Sequence, residues 1–174
     1  ERFFSGICGA ENTSRSTRTL LEEILGAACA VIATRIKAPK AFVLFGPSAA
    51  NGKSQFIELV RGMLPPGTPS SIAPSEMGKE QFLAELSGKT ANCSDELSSS
   101  KAISSAKMKA VISGDVVSAK RVYKPPYQFK PRALHLFATN SLPPFQNGVD
   151  EGIRRRFVVV PFNQRIPENK RIPE

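Results

Sequence analysis

Four groups of side chains in this chain have the types and spacing of residues that handle a polyphosphate. The first is the run Gly46, Pro47, Ser48, Ala49, Ala50, Asn51, Gly52, Lys53, Ser54 and Gln55. Glycines and small residues let backbone N–H groups approach an anion, and a helix opening behind them adds its positive dipole end. A lysine after the second glycine reaches the terminal phosphates, and the hydroxyl beside it ligates a divalent cation. The common spacing places four residues between the two glycines, whereas Gly46 and Gly52 are separated by five. The additional residue stands in the front of the loop, away from Gly52-Lys53-Ser54, and is expected to bulge outward without moving the functional atoms.

The second group is Asp95-Glu96, about forty residues beyond the loop and closing an apolar strand. Two adjacent acids have distinct geometries, so their roles divide: Asp95 is expected to hold magnesium, mainly through water, and Glu96 to polarise the attacking water. Asn140, at the end of "LHLFATN", is the third. It is placed to orient that water, or else it caps a turn before Ser141-Leu142-Pro143-Pro144. The fourth is Arg154-Arg155-Arg156, just before a buried strand. An arginine there supplies charge to a phosphoryl transition state; the plainer role is a surface turn paired with Asp150 and Glu151.

The elements that must carry these groups follow from hydrophobic patterning. A helix is expected from about Ser16, as its N-cap, to about Ile36, with Pro39 marking its end. The continuous apolar run 41–45 reads as a buried parallel strand. The stretch from Gly52 to about Met63 is helical, with Phe56, Ile57, Leu59, Val60 and Met63 on its packing face. A short strand is expected at 70–74, a second helix at 78–88, a strand at 89–97 and a helix over 102–112. Residues 116–129 read as two short strands around a basic tip with a Pro-Pro turn. Strands at 133–140 and 156–162 complete the pattern, and the tail after Phe162 has no clear structure. Alternating strands and helices imply an α/β fold, a mostly parallel sheet flanked by helices, with a basic β-hairpin inserted.

The chain has 174 residues and a net charge of +9. Its distribution is informative: eight lysines and arginines lie between residues 101 and 132 against a single acid, Asp115. Such a concentration attracts a phosphate backbone. At the hairpin tip, Lys120, Arg121 and Lys124 would track that backbone, and Tyr123 would stack on a base or pack against the hairpin's own prolines. His135 lies within an apolar strand and reads as a strand residue, not a metal ligand. Cys8, Cys29 and Cys93 form no C-x-x-C pair and read as buried thiols in a reducing compartment. The longest apolar stretch, 20–33, is too short for a membrane span and carries Glu22 and Glu23. The chain starts at Glu1, so a fragment or processed product is expected.

The order "LFGPSAANGKSQF", "CSDEL", "KMKAVISGDVVSAKRVYKPPYQFKPRALHLFATNSLPPF" and "VDEGIRRRFVVVPF" resembles the superfamily 3 helicase domain of phage and plasmid primase-helicases. The resemblance covers about residues 30–165, and its most specific part runs from "ISGD" through "FKPRA" to "ATN". It implies a P-loop NTPase of AAA+ type, an ATP and Mg2+ site between subunits of a ring, usually a homo-hexamer, and single-stranded DNA in the central channel. By the same resemblance Lys53 and Ser54 are Walker A residues, Asp95 and Glu96 Walker B, and Asn140 the sensor. The arginine finger falls on Arg155 or Arg156 and acts on the neighbour's nucleotide. The domain reading is an N-terminal helical segment over 1–38, an ATPase core over 39–165 and a tail over 166–174, cut before a further domain.

The expected function is an ATP-dependent helicase or translocase acting on single-stranded DNA and forked duplex, with a primase domain or replication partner. It would work in the cytoplasm of a bacterial or phage-infected cell. The alternative is a nucleotide-dependent DNA-binding assembly module with little hydrolysis. A small-molecule kinase would also use a phosphate loop, but the basic hairpin argues against it.

Overall fold

The computed structural model describes residues 13–95 and 101–168. Five strands form one sheet: β1 (Ala41–Phe45), β2 (Pro69–Ser70), β3 (Ala91–Ser94), β6 (Leu134–Thr139) and β7 (Phe157–Pro161). Their order is β2-β3-β6-β1-β7, and every pairing is parallel. Two further strands, β4 (Val117–Ala119) and β5 (Tyr127–Phe129), make a separate antiparallel hairpin. The helices are α1 (Thr13–Ala30), α2 (Lys53–Met63), α3 (Glu80–Leu83), α4 (Ser105–Ser113) and α5 (Glu151–Arg154).

Central strands are apolar on both sides because both faces of the sheet are covered. On one face Leu44, Leu136 and Ala138 pack with Leu21, Ile24 and Ala28 of α1 and Phe56, Ile57 and Val60 of α2. On the other, Val43 and Phe137 pack with Leu83 of α3, Met108, Val111 and Ile112 of α4, and Val117 and Ala119 of the hairpin. Each fully buried side chain of this size contributes about 1.5–3 kcal/mol relative to exposure. Parallel pairing sends the C-terminal ends of β1, β3 and β6 to the same edge, so the loops after them converge.

Several expectations change in detail. Helix α1 starts at Thr13, so Ser16 lies inside it rather than capping it, and it ends at Ala30; Val31 turns left-handed, φ 53°. On α2 the buried stripe is Phe56, Ile57 and Val60, whereas Leu59 and Met63 are exposed, because the sheet and α1 together cover only part of that helix. The expected strand 70–74 shrinks to Pro69–Ser70 and pairs only with β3. The expected helix 78–88 is α3 followed by a 3-10 turn over Ala84–Leu86. Cys93 is buried, and burial pushes its thiol up to about 12, but Cys29 is exposed. Cys8 lies outside the described residues. Among the described residues no helix is long and apolar enough to cross a membrane.

His135 is a strand residue, as read, but an uncomfortable one. It is fully buried on β6, stacked on Phe137 with ring centroids 6.0 Å apart, and neither ring nitrogen has a hydrogen-bond partner. The amide level with it on β3, Asn92, is already committed: its Oδ1 accepts from Ile72 N and Ser70 Oγ, and its Nδ2 donates to Ile72 O. Burial therefore pulls the imidazole pKa from 6.5 down to about 4. The unfolded chain takes up the proton first, so this residue's stabilising contribution is whole above pH 6.5 and is lost as pH falls towards about 4. The expected loss is on the order of 3 kcal/mol. Urea denaturation of the wild type and His135→Leu at pH 7, 5 and 4 checks it: the gap should widen in the variant's favour as pH drops.

Candidate functional site

The phosphate-type loop hangs between β1 and α2. Gly46 N donates to Thr139 O at 3.2 Å, joining the loop's start to the end of β6. A side chain at Gly46 is impossible without rebuilding: a Cβ would lie 2.4 Å from both Asn51 Nδ2 and Phe162 O. Gly52 is left-handed, φ 89°, and turns the chain into α2. In the front of the loop Pro47 and Ala49 are exposed, and behind them Ala50 is left-handed, φ 58°, its carbonyl accepting from Ile166 N at 2.8 Å. Asn51 is buried and points inward, donating to Ser48 O (2.8 Å) and Phe162 O (3.0 Å). The segment after β7, though irregular, is thus tied to the loop at two points.

Lys53 is the electrostatic centre of the site. Its buried Nζ donates to Gly46 O (2.9 Å), Asn51 Oδ1 (3.0 Å) and Ser48 O (3.3 Å), all neutral acceptors. Burial lowers its pKa. A cation held among loop carbonyls, with none of these acceptors carrying charge, fits an anionic ligand that brings its own negative charge.

One cleft of about 1190 Å³ joins the loop, with Lys53 and Ser54, to Asp95, Asn140, Glu76 and Lys101. The structure therefore brings three of the sequence-derived groups together at the C-terminal ends of β1, β3 and β6. Glu96 lies outside the described residues. Asn140 is exposed on the cleft wall, and the turn that follows is held by its neighbour: Ser141 N donates to Thr139 Oγ1 at 3.2 Å. Asn140's side chain has no such turn bond, which leaves it facing the cleft's contents. Among the described residues no three His, Cys, Asp or Glu side chains cluster as metal ligands. The donor set here is one hydroxyl, Ser54, and one carboxylate, Asp95, which suits a magnesium ion completed by phosphate oxygens and water.

Residues not foreseen also shape the cleft. Arg61, in the last turn of α2, donates to Cys93 O (2.7 Å) and Ser71 Oγ (3.2 Å) and meets both oxygens of Asp95 at 3.2 and 3.3 Å. Burial opposes its charge, but Glu58 and Asp95 outweigh burial and raise its pKa. Glu76 pairs with Lys79 at 2.6 Å and Lys101 at 3.1 Å, and this hydrogen bonding, Lys79 first, holds its carboxyl below the usual range. Apart from the Glu76–Lys79 and Arg61–Glu58 pairs, each three residues apart, these contacts join separate segments, so no local pattern announces them.

The arginine run lies elsewhere. Phe157 is level with Ala41, at the start of β1, and Ala41 N donates to Arg156 O. The loop begins at the opposite end of β1, roughly 16–20 Å away at the strand rise, beyond the reach of an arginine side chain. Arg156 is engaged within the chain, donating to Ser113 Oγ and Gly152 O at 3.0 Å each. Arg154 and Arg155 are exposed. The surface-turn pairing with Asp150 goes instead to Lys109 (2.7 Å), while Asp150 caps α5 through Ile153 N.

The basic tip is a turn in which Lys124 N donates to Arg121 O. Tyr123 occupies a left-handed conformation, φ 58°, and is wholly exposed, so it does not pack on Pro125 or Pro126. A left-handed tyrosine costs about 1–2 kcal/mol, and the base of the hairpin holds it there. Tyr127 Oη donates to Ala84 O, Lys120 N donates to Glu80 O, and the Arg121 guanidinium lies 5.8 Å from the Tyr127 ring centre.

A model of a family of unknown function (DUF5906) matches residues 44–156. A protein of Acanthamoeba polyphaga mimivirus named "Putative helicase L207/L206" is 34% identical over 128 residues. That match takes in 70% of this chain but only 13% of the mimivirus protein. Among solved structures, the apo C-terminal region of NrS-1 superposes with a TM-score of 0.68 at 14% identity, covering 95% of this chain and 38% of that one. The JCV helicase bound to a small molecule superposes with a TM-score of 0.52 at 12% identity, covering 97% and 46%. These superpositions show the fold: a mostly parallel five-stranded sheet flanked by helices, as in the helicase structure.

Proposed function

We propose that this chain, which belongs to the DUF5906 family, is the nucleotide-hydrolysing core of a helicase. One observation carries the reading: the buried Lys53 ammonium, held only by neutral loop acceptors, faces Asp95 and Asn140 across one cleft. ATP is the proposed nucleotide. Lys53 and the loop N–H groups hold its phosphates. Ser54 and Asp95 hold Mg2+, which when bound draws charge from the terminal phosphate. Glu96 takes the proton of the attacking water, and Asn140 orients that water. The finer assignments, superfamily 3, a homo-hexamer, single-stranded or forked DNA, and a replicative role in the cytoplasm of a bacterial or phage-infected cell, belong to the same proposal. So does a primase domain or replication partner. The resemblance in motif order supports them; the name of the mimivirus relative supports the helicase reading alone.

Arg155 is the proposed finger. Its exposed position at the far end of the sheet from the loop is compatible with action on a neighbouring subunit's nucleotide, whereas Arg156 is held by Ser113 and Gly152. Hydrolysis per subunit should therefore rise with protein concentration. Arg155→Ala should keep nucleotide binding and lose turnover by about 10³-fold, and mixing it with a Lys53 variant should restore part of the rate. A concentration-independent rate, or no complementation, would defeat the shared site. No hydrolysis at any concentration, with or without single-stranded DNA, would leave a nucleotide-dependent assembly module.

A further inference from the structure

We propose that Arg61 is a positioning residue that sets how strongly Asp95 attracts the divalent cation. The inference rests on the nucleotide reading above and extends it to a residue outside the phosphate loop. Helix α2 carries both ends of the argument. Lys53 opens it and points into the loop, and Arg61, eight residues later, leaves its last turn towards the sheet. Along the axis the two are about 12 Å apart.

The Arg61 guanidinium spans the ends of two strands. Nη2 donates to Cys93 O at 2.7 Å and to Ser71 Oγ at 3.2 Å, which fixes its plane against β3 and the chain after β2. Held there, it donates one hydrogen bond to Asp95, Nη1 to Oδ2 at 3.3 Å, while Oδ1 lies 3.2 Å from Nη2 as an ion pair and is itself buried without a hydrogen-bond partner. A guanidinium anchored on two other acceptors fixes where its positive charge sits against the carboxylate, which a flexible ammonium does not. The carboxylate remains about one-third exposed, on the wall of the cleft that holds Lys53 and Ser54. Asp95 thus serves an arginine and faces the proposed metal position at once, and the two cations compete for its charge. Glu58 bonds the same guanidinium and offsets part of its charge.

The test is Mn2+ binding in the presence of a non-hydrolysable ATP analogue, followed by electron paramagnetic resonance, with turnover measured beside it. Arg61→Gln removes the competing charge and its contact with Oδ2. The half-saturating Mn2+ concentration should fall roughly threefold to tenfold, while turnover falls about tenfold because the carboxylate is no longer oriented. Arg61→Lys returns the charge without the planar anchorage on Cys93 O and Ser71 Oγ, so its Mn2+ midpoint should return to within about twofold of wild type while turnover stays low. An unchanged or raised midpoint in Arg61→Gln, with a lowered melting temperature, would make Arg61 a brace between helix and sheet and overturn the inference alone. Wild type that fails to take up Mn2+ with the analogue would overturn the nucleotide reading, and this inference with it.

Discussion

Lys53→Ala is expected to reduce ATP turnover at least a hundredfold while leaving the melting temperature within a few degrees of wild type. The ammonium is the positive group that the loop holds ready before any phosphate arrives. Removing one such preorganised electrostatic contact costs about 10²–10³ in rate in characterised sites. Stability should hardly respond, for two opposing reasons. The variant no longer has to bury a charge, whose desolvation already lowers the lysine pKa. It also strands Gly46 O and Asn51 Oδ1, while Ser48 O keeps its bond from Asn51 Nδ2, but at a cleft where water can reach them. Turnover and calorimetry on the same preparations check both halves. Loss of turnover together with a collapse of the melting temperature would mean that Lys53 holds the loop's shape and would remove it as a probe of phosphate binding.

Neutralising Lys120, Arg121 and Lys124 together should weaken single-stranded DNA binding by on the order of a hundredfold at 0.1 M salt. Each lost phosphate contact lowers the slope of log affinity against log salt by roughly 0.7, so the triple variant should be shallower by about two. The effect should be the same for every sequence, because charges on the backbone carry no base information. Tyr123→Ala should behave differently: affinity falls, by about 1–3 kcal/mol for a stacked base, and the salt slope does not. Fluorescence anisotropy with labelled oligonucleotides between roughly 50 and 300 mM salt separates the two. Equal binding by the triple variant would remove the hairpin from the DNA contact.

Much of the architecture is legible in the residues because parallel strands leave a strong mark. The apolar run 41–45 coincides with β1, and the hairpin appears where two short strands flank a basic turn. Helix ends are less legible. Val31 is β-branched and gives no warning of a left-handed turn, so α1 stops before the pattern does. Burial on α2 needs knowledge of what covers the helix: Leu59 is as apolar as Ile57 but falls outside the contact.

The site divides in the same way. Lys53, Asp95 and Asn140 are readable because each closes or follows a strand, and a parallel sheet collects such ends on one edge. Glu76 and Lys101 reach the cleft, and Arg61 reaches Asp95 on its wall, through tertiary approach, and their sequence neighbours resemble ordinary surface. The back of the lengthened loop is tied to the segment after β7 through Phe162 O and Ile166 N, partners too far along the chain for a local pattern to announce. Thr139, adjacent to Asn140, takes the turn bond for which both polar residues are suited by type.

The sheet also has unlike poles. The phosphate-type loop lies beyond Phe45, and the exposed Arg154 and Arg155 stand beside the start of the same strand. Where copies join these poles head to tail, every inner copy has both poles satisfied and only the two ends of the series have a free one, so the rotation and rise between successive copies decide between a finite circle and an endless screw.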